Sequence, residues 1–308
     1  KGLLKTHPDR IMLCSDDLHP EMLAKRHLDK IITRLIKEGY NLFDIIRSCT
    51  LNPVMHYKLD CGLLRPDDAA DFIIVRDYNK MDVLETWIDG KKVYNRGKIL
   101  FNYLGSKKIN KFNCTKLNAK NLNIAKNGNK IRIIEAFNGE LLTKEIVKDV
   151  TKKSKIVDSD PDSDIIKIVV KDRYKNMPPA IGFIKGFGLK QGAFASSVAH
   201  DSHNIICIGT NDEDIIAAIN EIIKMKGGLA VVSENRTESL QLPIAGIISD
   251  EPVSEIAHKY EKLSRLVKSY GCKMSAPFMT LSFMALLVIP ELKISDRGLF
   301  DGRSFKPV

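Results

Sequence analysis

Apolar positions along this chain of 308 residues change texture from one stretch to the next. Ile11-Met12-Leu13 is a short apolar run, followed at once by Cys14-Ser15-Asp16-Asp17-Leu18-His19-Pro20. The pattern predicts a strand that ends in an acidic pair, then a helix opening at about Pro20-Glu21. Leu28, Ile31, Ile32, Leu35 and Ile36 recur at i, i+3, i+4, i+7 and i+8, so one amphipathic helix is expected over 21–38. Gly39 supplies its stop. A second helix is expected over roughly 41–50, ending ahead of Asn52-Pro53.

From Gly62 the period shortens. Ala70-Asp71-Phe72-Ile73-Ile74-Val75, Val83 to Ile88, the turn Asp89-Gly90 and Lys92-Val93-Tyr94 read as short strands with tight turns, hence a small β module. Residues 105–130 are polar, rich in Lys and Asn and without period, which predicts a linker or an exposed excursion. Beyond Ile131 strands and helices alternate. Strands are expected at Asp164–Val170, Asn204–Gly209 and Leu229–Val232. A helix over 211–226 has Ile215, Ile219, Ile222 and Ile223 on one face, with Asn211 or Asp212 as cap and Gly227-Gly228 as stop. Another over 255–270 turns Ile256, Tyr260, Leu263 and Val267 inward, and Ser275 to Leu292 reads as a buried, largely helical element. This is an α/β or α+β domain of about 170 residues.

Composition narrows the picture little: 44% hydrophobic and 28% charged residues are ordinary for a globular protein. No apolar run approaches the ~18 residues of a membrane span. Cys14, Cys49, Cys61, Cys114, Cys207 and Cys272 form no CxxC, so reduced, buried thiols of a cytoplasmic protein are expected. The net charge of +10 comes mostly from lysine. Much of it lies in Lys107, Lys108, Lys111, Lys116, Lys120, Lys126, Lys130, Lys152, Lys153 and Lys155. The asparagines among them, Asn127 included, and the scarcity of aromatic rings favour a solvated surface over a nucleic-acid platform.

Candidate chemistry sits in a few places. Asp16 and Asp17 are either a helix N-cap or a metal ligand and general base with its neighbour positioning it. Ala199-His200-Asp201-Ser202-His203-Asn204 is not a zinc signature. It is either a hydrogen-bonded turn before a strand or part of a polar pocket. Lys185-Gly-Phe-Gly-Leu-Lys-Gln-Gly192 lacks both nucleotide-loop spacings, so its glycines are expected to let the backbone pass close to something.

Taken together, Cys14–Pro20, Cys49–Tyr57, Gly62–Val75, Ala199–Asn204, Gly209–Asp214 and Pro277–Leu292 resemble the adenine deaminases of the amidohydrolase superfamily, essentially end to end. The resemblance implies hydrolysis of adenine to hypoxanthine and ammonia in purine salvage, in the cytoplasm, at a Mn2+ (or Fe2+ or Zn2+) centre that activates water. It implies that Asp16 is the last-strand aspartate, both metal ligand and proton shuttle. His200, Asp201, His203 and Asn204 fall in the family's C-terminal domain and are expected, on their chemistry, to line or close the adenine pocket; the enzyme is expected to be a homo-oligomer with no nucleic-acid or membrane partner. The implied fold is in the α/β class: the end of a (β/α)8 metal-dependent hydrolase barrel over 1–60, a small β-sandwich module over 61–104, the polar linker over 105–130, and an adenine-deaminase-type C-terminal α/β (α+β) domain over 131–308.

The chain departs from that pattern. Its histidines are His7, His19, His27, His56, His200, His203 and His258, with no His-x-His, and too few residues precede Asp16 for seven barrel strands. It is therefore expected to be the C-terminal half of such an enzyme, inactive without an N-terminal barrel half. Two other readings stay open: a non-catalytic metal- or purine-binding module on 131–308 with His200 and His203 as ligands, and a cyclic-amide hydrolase acting on a dihydropyrimidine or hydantoin.

Overall fold

The structure, a computed structural model, describes residues 2–124, 128–150, 157–234 and 236–308. Lys1, Lys126, Asn127, Lys152, Lys153 and Lys155 lie outside the described residues. The chain divides into two compact units, Lys1–Gly105 and Ser106–Val308.

In the first unit, helices α1 (Gly2–Thr6), α2 (Pro20–Leu23), α3 (Leu28–Lys37), α4 (Leu42–Cys49) and α5 (Leu51–Tyr57) precede strands β1 (Phe72–Val75), β2 (Val83–Ile88), β3 (Lys91–Asn95) and β4 (Lys98–Ile99). Leu4, Ile32, Leu35, Ile45 and Met81 are buried together, and each such side chain contributes about 1.5–3 kcal/mol relative to exposure. The helix expected over 21–38 is two helices. The chain breaks at His27, whose N–H donates to Asp29 Oδ1 at 2.6 Å and whose ring meets Ser15 Oγ at 2.8 Å. An Asx bond of this kind competes with the helical ladder. The expected second helix is followed by another, α5, because Pro53 falls in its first turn, where a missing N–H costs nothing.

Ile11-Met12-Leu13 is extended but is not a strand, and residues 2–60 hold helices and no strand among the described residues. With no partner strand, the run is tied by Leu13 N–H to Ser48 O at 3.1 Å. The β module is one antiparallel sheet in the order β1-β2-β3-β4 rather than a sandwich. It is knitted by Asp71, whose carboxylate accepts the N–H groups of Asp89 at 2.7 Å and Gly62 at 2.8 Å. These two bonds hold the Asp71 carboxyl below its ordinary pKa.

The second unit is built on an eight-stranded sheet. Its strands are β5 (Lys130–Ala136), β6 (Thr143–Asp149), β7 (Ile166–Lys171), β8 (Ala180–Lys185), β9 (Ala193–Ser196), β10 (Ile205–Gly209), β11 (Gly228–Ser233) and β12 (Arg236–Gln241). The order is β12-β11-β9-β10-β7-β8-β5-β6, with only β5 and β8 parallel among neighbours. Helix α6 (Asp212–Met225) crosses from β10 to β11 over one face. On the other lie α7 (Val253–Ser269) and α8 (Pro277–Phe283), followed by the small sheet β13 (Leu292–Ser295), β14 (Gly298–Asp301) and β15 (Lys306–Pro307).

Because both faces are covered, β7, β10 and β11 are buried at every position, which is why they read as continuous apolar runs instead of alternating. On β7, Ile166, Ile168 and Val170 face α7 and α8, while Val169 faces α6. Lys167, wholly buried, is tolerated because its Nζ meets Asp212 Oδ1 at 2.6 Å and Asp158 Oδ1 at 3.0 Å.

The stretch expected as a linker is instead a strap packed on this unit. Asn113 N–H donates to Arg173 O at 2.7 Å and Ala245 N–H to Ile109 O at 2.6 Å, and Leu117 and Leu122 are buried in the α6 core. Isolated leucines in polar text carry no period, so the packing is invisible to periodicity. The glycine run passes close to backbone as expected: Gly186 has φ +105°, and a Cβ there would lie 2.1 Å from Ala136 O. Asp164 clamps it by accepting the N–H groups of Gly188 at 2.7 Å and Gly186 at 2.9 Å. Cys207 and Cys272 are buried, and burial pushes the Cys272 thiol up to about 11, but Cys14 and Cys61 are exposed, against expectation. No described helix is long and apolar enough to cross a membrane.

Candidate functional site

Asp16 stands in the extended segment before α2, exposed, with φ +52°. Its Oδ1 accepts the N–H of Asp17 at 2.9 Å. It does not cap the helix: α2 opens after His19 with no side-chain cap. The N-cap reading of the acidic pair is thereby corrected, and the reason is the tight left-handed bend at Asp16, which turns its carboxylate onto the next residue. Among the described residues, no three His, Cys, Asp or Glu side chains converge to hold a metal ion. A divalent catalytic centre takes three or more protein donors, so the donors among the described residues do not by themselves fit one.

The second candidate is the turn between β9 and β10. His203, in the left-handed region at φ +50°, closes it: its N–H donates to Ala199 O at 2.7 Å and its Nδ1 accepts from Ala199 N–H at 3.3 Å. The His200 ring lies flat on Phe283, with centroids 5.0 Å apart and planes 13° apart. The His200 N–H donates to Ser282 O at 3.3 Å, joining the turn to the end of α8. The two imidazoles are 5.6 Å apart between centroids, with no third donor completing a metal set among the described residues, so the metal-module reading finds no site here. Asp201 is exposed, and Asn204 is buried.

Asn204 is used structurally as well. Its Oδ1 accepts the Arg173 N–H at 3.2 Å, and its Nδ2 donates to Asp296 Oδ1 at 3.3 Å. Arg173 follows β7, buried between the rings of Phe112 and Tyr174. Its Nη1 donates to Ala245 O at 2.7 Å and its Nη2 to Tyr174 Oη at 2.8 Å, and Tyr174 Oη donates in turn to Ser202 O at 3.0 Å. The turn is thus backed by a cation, a phenol and an amide, with the Arg173 Nε and the Ser282 hydroxyl buried beside it without protein partners. Arg173, Tyr174 and Asp296 were not singled out by sequence, and Ser282 and Phe283 were read only as part of the buried Pro277–Leu292 block. The available signal was Lys171-Asp172-Arg173, three charges directly behind the apolar run of β7.

Two clefts are present elsewhere. One of about 430 Å³ is lined by Asp9, Arg10, Arg47, Asn52 and His56, and one of about 410 Å³ by Phe137, Lys144, Glu291 and Arg303. Neither includes Asp16 or the His200–Asn204 turn. Asn52, in the Cys49–Tyr57 block, is structural: its Nδ2 donates to Pro8 O and Ile11 O, both at 2.7 Å.

Residues 140–306 match the sequence model of the adenine deaminase C-terminal domain, and residues 2–93 match that of the amidohydrolase family. An adenine deaminase of Sulfurovum sp. is 47% identical over 304 residues, covering 98% of this chain and 56% of the relative. Those of Methanosarcina barkeri and Salinibacter ruber are 44% and 42% identical over 314 and 306 residues, covering 99% of this chain and 57% and 56% of the relatives. The chain therefore spans a little over half the length of the curated relatives it matches. With more than half of its residues inside the first of those matches, the chain belongs to the adenine deaminase C-terminal domain family.

Proposed function

We propose that this chain is the C-terminal portion of an adenine deaminase, which hydrolyses adenine to hypoxanthine and ammonia. The observation that carries the reading is identity of more than 40% to adenine deaminases across nearly the whole chain, both units included. The amidohydrolase match implies a divalent metal; manganese, with iron or zinc as alternatives, is the proposed ion.

The donors within this chain do not make a centre alone, so its share is proposed to be one carboxylate, Asp16. That group has the chemistry to serve as an oxygen ligand and to accept and return a proton. His200, Asp201, His203 and Asn204 are proposed to meet the purine. An imidazole held flat against Phe283, with a defined hydrogen bond at its backbone, is a preorganised surface for a planar heterocycle. The complete enzyme is proposed to be a cytoplasmic homo-oligomer acting in purine salvage.

The test is substrate choice. The complete enzyme, loaded with Mn2+, is given adenine, a hydantoin and a dihydropyrimidine in parallel. Ammonia and hypoxanthine from adenine alone are expected. Ring opening of either cyclic amide without adenine turnover would transfer the chain to another amidohydrolase activity.

A further inference from the structure

Lys293 lies in β13 between two core residues, Leu292 and Ile294, and is itself 0% exposed. Its Nζ donates to Leu141 O at 2.7 Å and Phe283 O at 3.2 Å. Both partners are backbone carbonyls, and burial pushes its pKa down to about 8. An ammonium kept from water by such contacts is costly, and a methionine of similar length would pack there at less cost. Burial by itself therefore gives no account of why a lysine occupies this position.

Its contacts do give one. Phe283 is the last residue of α8, where a cation is favoured, and its carbonyl is shared between Lys293 Nζ and the Leu286 N–H at 3.2 Å. Strand β13 holds two consecutive carbonyls at that end: Phe283 O through Lys293 Nζ, and Met284 O through the Ile294 N–H at 3.1 Å. The same short segment makes the His200 contacts described above, the Phe283 ring beneath the imidazole and Ser282 O on its N–H.

We propose that Lys293 is a positioning residue for His200: by holding the Phe283 carbonyl it fixes the ring on which the imidazole stacks, and so the pose His200 offers to the purine. The purine part of this inference rests on the adenine reading above; the Lys293–Phe283–His200 link does not.

The experiment uses the complete enzyme with 13C-labelled histidine. In wild type, the His200 ring protons are expected upfield, shielded by the Phe283 face. Lys293→Met is expected to melt no lower than wild type, to shift the His200 signals toward free histidine, and to raise the KM for adenine roughly threefold or more with kcat nearly unchanged. Lys293→Gln, which keeps an N–H donor, should fall between the two and serves if the Met variant does not fold. Unmoved His200 signals in a folded variant would overturn the proposal, as would a KM rise accompanied by a lower melting temperature, the mark of general loosening. Moved signals with unchanged KM, in Lys293→Met and His200→Ala alike, would keep the positioning role and remove the purine contact.

Discussion

At the scale of single residues, buried polar groups around the His200–Asn204 turn explain most of its shape. Tyr174→Phe removes the hydroxyl that accepts from Arg173 and donates to Ser202 O. The expected cost is about 1 kcal/mol in denaturant unfolding, with a raised KM for adenine in the complete enzyme; unchanged values of both would mean the phenol is incidental. Lys293 makes a sharper statement because its charge titrates. Its folded pKa is about 8 against an ordinary 10.5. Between those values the unfolded chain binds more protons than the native one, so stability rises with pH across that window and the burial cost is fully present below it. Any stability advantage of Lys293→Met should therefore shrink by about 3 kcal/mol between pH 7 and pH 10.5. Urea titrations of both proteins at the two values check this, and a pH-independent difference would contradict it.

At the scale of elements, what periodicity could reach it reached. Ile215, Ile219 and Ile222 are all fully buried on α6, and Asn211 is its cap, its Oδ1 accepting Asp214 N–H at 2.8 Å. Asn211→Ala should cost about 1 kcal/mol by denaturant unfolding. Gly186→Ala should cost more, several kcal/mol, because φ +105° and the nearby Ala136 carbonyl leave no room for a methyl group. A variant as stable as wild type would mean the loop shifts freely. The break between α2 and α3 was not legible because the apolar spacing runs on from Leu28 while the decisive events, Asp29 on the His27 N–H and His27 on Ser15, are polar and local. The short helix α5 was hidden for a similar reason, since Asn52-Pro53 reads as a terminator unless the helix begins only two residues before the proline.

At the scale of the whole molecule, the strap over residues 106–118 places the boundary between units earlier than the polar composition suggests. Residues 106–308 carry a sheet with both faces covered and their own cores, so that fragment is expected to unfold cooperatively when expressed alone; a broad, non-cooperative transition would argue otherwise. The C-terminal unit was legible in part: β7, β10 and β11 carry apolar runs and α6 and α7 an apolar face, whereas β6 and β12 are polar text with no such signature. The candidate site was legible only as a cluster of polar letters. Its backing residues Arg173 and Asp296 come from distant parts of the sequence and meet Asn204 only through the fold, and among the described residues no group of three metal donors forms around Asp16 or anywhere else.

The most direct measurement is ammonia release from adenine by the complete enzyme and its Asp16→Asn variant, each with bound metal counted. Hypoxanthine and ammonia are expected from wild type. In the variant, turnover lower by a factor of at least about 1,000 is expected, together with less metal retained. Turnover and metal content near wild type in Asp16→Asn would contradict the assignment of Asp16.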